Sequence, residues 1–285
     1  MHLFIIILLC ILATAKVTLQ SRFGKKILST KWDGIIFNAV VFFTATILFC
    51  SDIPDASIET WIFASAFALF TVIFQLTYTN ALSLGNVSLT VMVVNLSMIF
   101  PVLTSVIIYH EHLTPARIIG ILLTIASFIL CVDAKADVTL SRSWFFLTLA
   151  AALANGSIGI TQKIFGASAF HNEKKAFVAC SYLIAFLITL TLYMIAHIKG
   201  KNATAYKKIP TYLFATSVGV ILAIFQWLNT YAISIMDGSF LFPIYSGGSI
   251  IFSTLVGVLF FNDKLTSKQK ISIILGIVAV IIMNL

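Results

Sequence analysis

The chain has 285 residues, of which 60% are apolar and only 10% charged, and its mean hydropathy is +1.06. That is too little polar surface to coat a water-soluble globule of this size, so a soluble enzyme or binding domain is excluded. The net charge of +8 reads as membrane-topology signal, because no aqueous domain remains that could present a nucleic-acid surface.

Uncharged runs between charge clusters predict helices rather than barrel strands, since the apolar stretches are continuous and do not alternate. The first span is expected over 3–21. An A-x-A pattern at Ala13-Thr14-Ala15 resembles a cleavage site, but no basic segment precedes the apolar run, so the helix is expected to be retained. Lys16 lies inside this span, roughly 9 Å along a helix from Arg22. Its stem either snorkels to the interface or lines a cavity.

A second span is expected over 34–50. Thr60 to Tyr109 then contains no Asp, Glu, Lys or Arg, which is about twice the length one crossing needs. It reads as two spans, 60–82 and 88–109, joined by a turn near Leu84–Ser88 where Gly85 and Asn86 supply the turn chemistry. Gln75, Tyr78 and Thr79 share one face of the third span. Asn95 and Ser97 add polar groups to the fourth, and Pro101 weakens its backbone ladder. A fifth span follows over 115–132. Glu111, just before Leu113-Thr114, is expected to meet the free amides and dipole of that following helix.

The remaining spans are expected over 144–165, 176–197, 211–235, 239–261 and 269–285. Lys163, near the end of the sixth, poses the same choice as Lys16 between snorkelling and cavity lining. Gln226, Asn229 and Thr230 share a face of the eighth, where Trp227 either packs within the bundle or walls a cavity. Tyr245, Ser246 and Ser249 on the ninth belong to the same polar layer as Asn95, and Pro243 to Gly248, like Pro101, either loosen the helix or are simply tolerated there, with tight packing against Gly247 and Gly248. Trp32, Trp61 and Trp144 begin spans, where an indole favours the headgroup layer. Cys10, Cys50, Cys131 and Cys180 have no metal-like spacing and read as packing residues. No cofactor or metal is expected.

The chain repeats itself. With Phe74 set on Phe225, Gln75 meets Gln226, Thr79 meets Thr230, Ala81 meets Ala232, Ser83 meets Ser234 and Ser88 meets Ser239. After a one-residue slip, Glu111, Leu113 and Thr114 meet Asp263, Leu265 and Thr266; earlier, Gln20, Phe23 and Gly24 recur as Gln162, Phe165 and Gly166. The fold class is therefore an all-α polytopic membrane protein of ten transmembrane helices, with five-helix repeats over 1–137 and 138–285. An odd number of spans per repeat inverts the second relative to the first, with a site expected at the midplane between them.

Ten spans place Arg22, Lys25, Lys26, Lys31, Lys135, Arg142, Lys199, Lys201, Lys207, Lys208, Lys264, Lys268 and Lys270 on one side, against Arg117, Lys174 and Lys175 on the side of both termini. Positive charge accumulates inside, so both termini are expected outside the cell membrane.

The "AL"-like helix ends (Asn80-Ala81-Leu82, Tyr231-Ala232-Ile233), the tight turn and the acidic-x-Leu-Thr step before a last span resemble the EamA-type members of the drug/metabolite transporter superfamily. The likeness runs over essentially the whole chain. Gly120 follows Glu111 at the family's spacing, whereas Asp263 replaces Glu and Ser272 replaces Gly in the second half, with Gly276 four residues on as a substitute for close packing. The resemblance implies ten helices and solute movement, and it implies cytoplasmic termini, opposite to the charge count.

A carrier for a small polar metabolite, such as an amino acid or related solute, accounts for the duplication and the polar midplane; a passive channel or facilitator needs the same pore without rocking. No Asp or Glu falls in mid-span, which argues against proton-driven export of cations. An intramembrane enzyme fits least, since His110, His112, His171 and His197 all lie at span ends or in loops. The expected substrate contacts are Gln75, Tyr78, Thr79, Asn95, Gln226, Trp227, Asn229, Thr230 and Tyr245, or these polar faces instead bond helix to helix. The expected partners are a small-molecule substrate and the lipid bilayer, with no nucleic acid; the oligomeric state is left open.

Overall fold

The computed structural model describes residues 2–28, 30–84, 87–131, 141–200, 209–261 and 267–283. The helices are α1 (His2–Lys26), α2 (Lys31–Leu48), α3 (Ile58–Leu84), α4 (Val87–Asn95), α5 (Ile99–Ile107), α6 (Pro115–Cys131), α7 (Arg142–Ala167), α8 (Lys174–Ile198), α9 (Ile209–Ile235), α10 (Gly238–Phe261) and α11 (Ser267–Met283). No strand occurs among the described residues. Gly85 and Asn86, Asp263, and the lysines at 135, 201, 207, 208 and 264 lie outside them.

Local chemistry sets the helix starts. Thr30 and Asp33 form a reciprocal capping box at α2, with the Thr30 amide donating to Asp33 Oδ2 at 2.8 Å. Ser141 Oγ accepts from the Trp144 amide at 3.1 Å to begin α7. At the other end, α8 closes on Gly200, whose φ of +69° suits a residue without Cβ.

The fourth expected span is broken. A 3-10 turn at Leu96–Met98 separates α4 from α5, because Pro101 has no N–H for the carbonyl four residues back and its ring crowds that carbonyl. The matched span behaves differently: α10 runs unbroken through Pro243. Of the two readings open for these matched spans, yielding or ordinary tolerance, the first span follows the one and the second the other.

The helices pack in a pattern that survives exchange of the two halves. α1 packs on α9 and on α10, just as α7 packs on α3 and on the α4–α5 span; α2 meets α8, and α6 meets α11. Repeated aromatics mark the same operation, since Phe23 stacks on Phe37 with centroids 3.9 Å apart and Phe165 stacks on Phe177 at 4.1 Å. Small residues set the closest approaches. A Cβ on Gly159 would stand 2.9 Å from Pro101 Cγ, and one on Gly248 would stand 2.6 Å from Cys10 Sγ. Gly276 faces Ser127 of α6.

Large apolar side chains such as Phe4, Ile62, Phe146 and Leu213 point outward and stay exposed, which in water would be a severe cost and in lipid is the expected face. Among the described residues, five helices (α1, α3, α7, α8 with its preceding turn, and α9) are long and apolar enough to cross a membrane by length and composition. Trp144 departs from expectation. It begins a helix but is buried, and its Nε1 donates to Thr90 Oγ1 at 2.9 Å, so the indole joins α7 to α4 rather than resting in headgroups. Cys10 and Cys180 are buried packing residues, whereas Cys50 is exposed.

Candidate functional site

A cavity of about 100 Å³ lies between the halves, walled by α1, α3, α4, the 3-10 turn, α5, α7, α9 and α10. Its lining comes in repeat-related pairs. Phe74 faces it with Phe225, Gln75 with Gln226, Tyr78 with Asn229, and Asn95 with Ser246. The same operation relates Lys16 to Ile158, and both line the cavity.

Beside it the two halves build the same polar knot. Gln20 Nε2 donates to Thr79 Oγ1 at 2.5 Å and to Gln75 Oε1 at 3.3 Å. Gln162 Nε2 donates to Thr230 Oγ1 and to Gln226 Oε1, each at 3.0 Å. Each threonine passes its own hydroxyl hydrogen to a carbonyl one turn back, Thr79 to Gln75 at 2.7 Å and Thr230 to Gln226 at 2.8 Å. That commits the threonine oxygen as acceptor and fixes which way each glutamine amide points.

The two lysines have different fates. Lys163 pairs with Glu111, away from the cavity. Lys16 has neither snorkelled nor paired with a carboxylate among the described residues: it is 7% exposed, with Nζ 5.3 Å from the Phe74 ring centroid and 5.8 Å from that of Phe225.

Glu111 also departs from expectation, because it caps a helix of the other half. Its carboxylate accepts from the Gly238 amide at 3.1 Å and the Ser239 amide at 2.9 Å, at the start of α10. His110, held at φ +50°, turns the chain out of α5 and toward that contact. Burial alone would raise the Glu111 carboxyl, but Lys163 and the two amides outweigh it and hold the group below the ordinary glutamate value. Glu173 returns the contact from the second half, accepting from both the amide and the hydroxyl of Ser57 at 2.9 Å as α3 begins. Burial pushes the Glu173 carboxyl up, and the Thr60 and Ser57 donors bring it below its usual value. Arg117 and Asp237 pair nearby at 2.9 Å.

Of the residues singled out in the sequence, Gln75, Tyr78, Asn95, Gln226, Asn229, Tyr245 and Lys16 meet at the cavity. Thr79 and Thr230 do not line it; each instead accepts from the glutamine of its knot. Trp227 does not either. One residue along a helix from Gln226, it is turned about 100° away, toward Phe49 and a shallow polar surface beside Glu173. Lys163 is withdrawn by Glu111. Sequence reasoning missed Asn155 and Gln162 of α7, both of which line the cavity. Gln162 stands out in the sequence only as a repeat of Gln20, and Asn155, which donates to Ser97 Oγ at 2.8 Å, is signalled by an amide in the middle of an apolar span.

Among the described residues no Asp or Glu lines the cavity. Amides, hydroxyls, aromatic faces and one ammonium can bind and orient a polar solute, but this set offers no nucleophile with an adjacent base.

No curated protein matches the sequence. Among the solved structures that are similar, one crystal structure matches over 96% of this chain and 95% of its own, with a TM-score of 0.69 and 15% identity, a likeness in fold. The sequence matches the EamA-like transporter family over residues 4–132 and 142–285. With its apolar helices and duplicated halves, the chain belongs to the EamA-like transporter family, multi-pass membrane proteins that carry small solutes.

Proposed function

We propose that this chain is a secondary transporter that moves a small polar metabolite, an amino acid or related solute, by alternating access about the central cavity. The observation that carries this reading is the pairwise lining of one cavity by repeat-related residues of both halves. A site shared in this way can be offered to either face when one half rocks against the other. Ten crossings, five per half, would invert the second repeat, and the exchange-symmetric helix contacts support that arrangement.

Substrate contacts are Gln75, Tyr78, Asn95, Gln226, Asn229 and Tyr245. The break at Leu96–Met98 beside the cavity is the natural place for the first half to bend. Cross-repeat contacts join Glu111 to Gly238, Glu173 to Ser57 and Arg117 to Asp237. These support the grouping of the corresponding loops on one face, the face that also holds both termini. The loop charges favour that face as external, in the plasma membrane.

Reconstituted vesicles test the mechanism. A carrier gives saturable counterflow of a preloaded solute, whereas flux that rises without saturation means a channel. Alanine at Gln75 and Gln226 should abolish uptake in protein that remains folded; unchanged uptake would remove these residues from the site. A tag after Leu285 reachable from outside intact cells would support the orientation, and one reachable only after permeabilisation would reverse it.

A further inference from the structure

At the cavity an ammonium without a carboxylate partner among the described residues stands with a hydrogen-bond donor that has no acceptor. Lys16 presents its ammonium there, and among the described residues it meets no carboxylate. Its neighbours are the faces of Phe74 and Phe225, which recover only part of what the charge loses on leaving water. Lys163 shows the alternative this chain uses when a lysine is to be neutralised internally, since that ammonium has Glu111. Gln75 adds to the imbalance. It lines the cavity; its Oε1 is taken by Gln20, while its Nε2 is buried and has no partner.

The repeat sharpens the point. Phe74 and Phe225 are equivalent residues, so the two halves supply the two rings symmetrically, yet the equivalent of Lys16 is Ile158. Among the described residues one cation, not two, stands between the rings, and no acidic residue lines the space around it. A cationic solute would be repelled there. A zwitterion would satisfy Lys16 with its carboxylate and find no counter-charge for its ammonium. A carboxylate on a neutral body satisfies both Lys16 and the free Gln75 donor.

We propose that Lys16 Nζ and Gln75 Nε2 form a carboxylate subsite, and that the transported solute is a small organic monoanion. This rests on the transporter reading above and, within its small polar metabolites, sets a carboxylate on a neutral body in place of the zwitterionic amino acid. The empty site holds an unneutralised charge in the membrane interior and the loaded one does not, so the anion both fills the site and removes its electrostatic cost.

The test uses the purified full chain in proteoliposomes with two matched sets of probes. One set is propionate, propionamide, propylammonium and alanine; the other is 3-phenylpropionate, its amide, its amine and phenylalanine. In at least one set the acid should show saturable counterflow and compete at least tenfold better than its amide, amine or amino acid. Lys16→Met should bring the acid down to the level of the amide, and Lys16→Arg should keep the preference. Gln75→Glu, which supplies an internal carboxylate, should abolish the acid preference even if Lys16→Met fails to fold. Saturable flux in which the amide, amine or amino acid matches the acid overturns the monoanion while leaving the transporter standing. So does an acid preference that survives in folded Lys16→Met or Gln75→Glu. Absence of saturable flux for all eight probes overturns the transporter reading itself.

Discussion

Asn229 donates from Nδ2 to Gln162 Oε1 at 3.0 Å, a bond the first half cannot copy because Tyr78 occupies the equivalent place. Gln20 Oε1 is consequently buried without a partner, so one glutamine knot is closed and its twin is open. Duplication kept the scaffold of each knot, Gln20 with Thr79 and Gln162 with Thr230, while the residue one step into the cavity diverged. Divergence at that step is how a two-fold scaffold comes to hold an asymmetric solute.

The asymmetry predicts unequal costs. Gln162→Leu leaves Gln226 Oε1 and Asn229 Nδ2 without their bonds, whereas Gln20→Leu strips Gln75 Oε1 but also removes an oxygen that already lacked a partner. At roughly 1–3 kcal/mol for each buried group left unsatisfied, Gln162→Leu should lower stability by about 1–3 kcal/mol more than Gln20→Leu. Thermal unfolding of both variants in one detergent checks it, and equal losses would mean the open Gln20 oxygen carries no cost.

The two buried lysines should respond to removal with opposite signs. Lys16→Met deletes an unpaired charge and keeps most of the side-chain volume, so stability should rise by roughly 1–3 kcal/mol, a little under the cost of an ammonium at mid-membrane. Lys163→Met deprives Glu111 of its counter-charge while leaving it the Gly238 and Ser239 amides. That should lower stability by about 1–3 kcal/mol, below the 3–5 kcal/mol typical of a fully buried pair that loses one member. Melting curves of the two variants without added solute decide it; a fall for Lys16→Met would mean that the charge is neutralised within the protein.

Much of this arrangement could be read from the sequence, and the parts that could not share one cause. The duplication was legible because Gln20, Phe74, Gln75 and Thr79 recur at fixed offsets, and the α3–α4 boundary because an uncharged run of double length must turn. What a one-dimensional pattern could not resolve is azimuth. Gln75, Tyr78 and Thr79 share a face by spacing, but such a face is wide enough to meet both a cavity and a neighbouring helix, and Thr79 falls on the neighbour's side. Trp227 follows Gln226 in sequence and points elsewhere. The Glu111 partners are 52 residues away at Lys163 and more than a hundred away at Gly238, so local spacing could suggest that a helix start is capped but not which one.

Two glycines should answer differently to the same methyl group. A Cβ at Gly159 meets the rigid Pro101 ring at 2.9 Å, while one at Gly247 meets only Thr124 Cγ2 at 3.7 Å, an ordinary contact. Both substitutions gain helix propensity, up to about 1 kcal/mol. Gly159→Ala should nonetheless lose about 1–3 kcal/mol net through overpacking and reduce uptake, since it pushes on the broken fourth span. Gly247→Ala should be neutral or slightly stabilising. Unfolding temperatures and initial uptake rates of the pair are the measurement, and equal behaviour would mean that the α7–α5 contact yields freely.

Acid should loosen the face that carries Glu111. Because its folded carboxyl titrates below the ordinary glutamate value, the group binds fewer protons folded than unfolded just under that value. Its contribution is therefore complete above the unfolded pKa and is lost as pH falls through the folded one. Glu173 is shifted in the same direction at the start of α3, so both cross-repeat caps weaken together on acidification. Between neutral pH and about pH 5 the melting temperature should be nearly flat with respect to these groups, falling below about pH 4. Glu111→Gln, which keeps an acceptor for the amides but has no charge to lose, should start lower at neutral pH and decline less steeply. Parallel acid limbs for wild type and Glu111→Gln would show that the carboxylate charge does not hold the two halves together on that face.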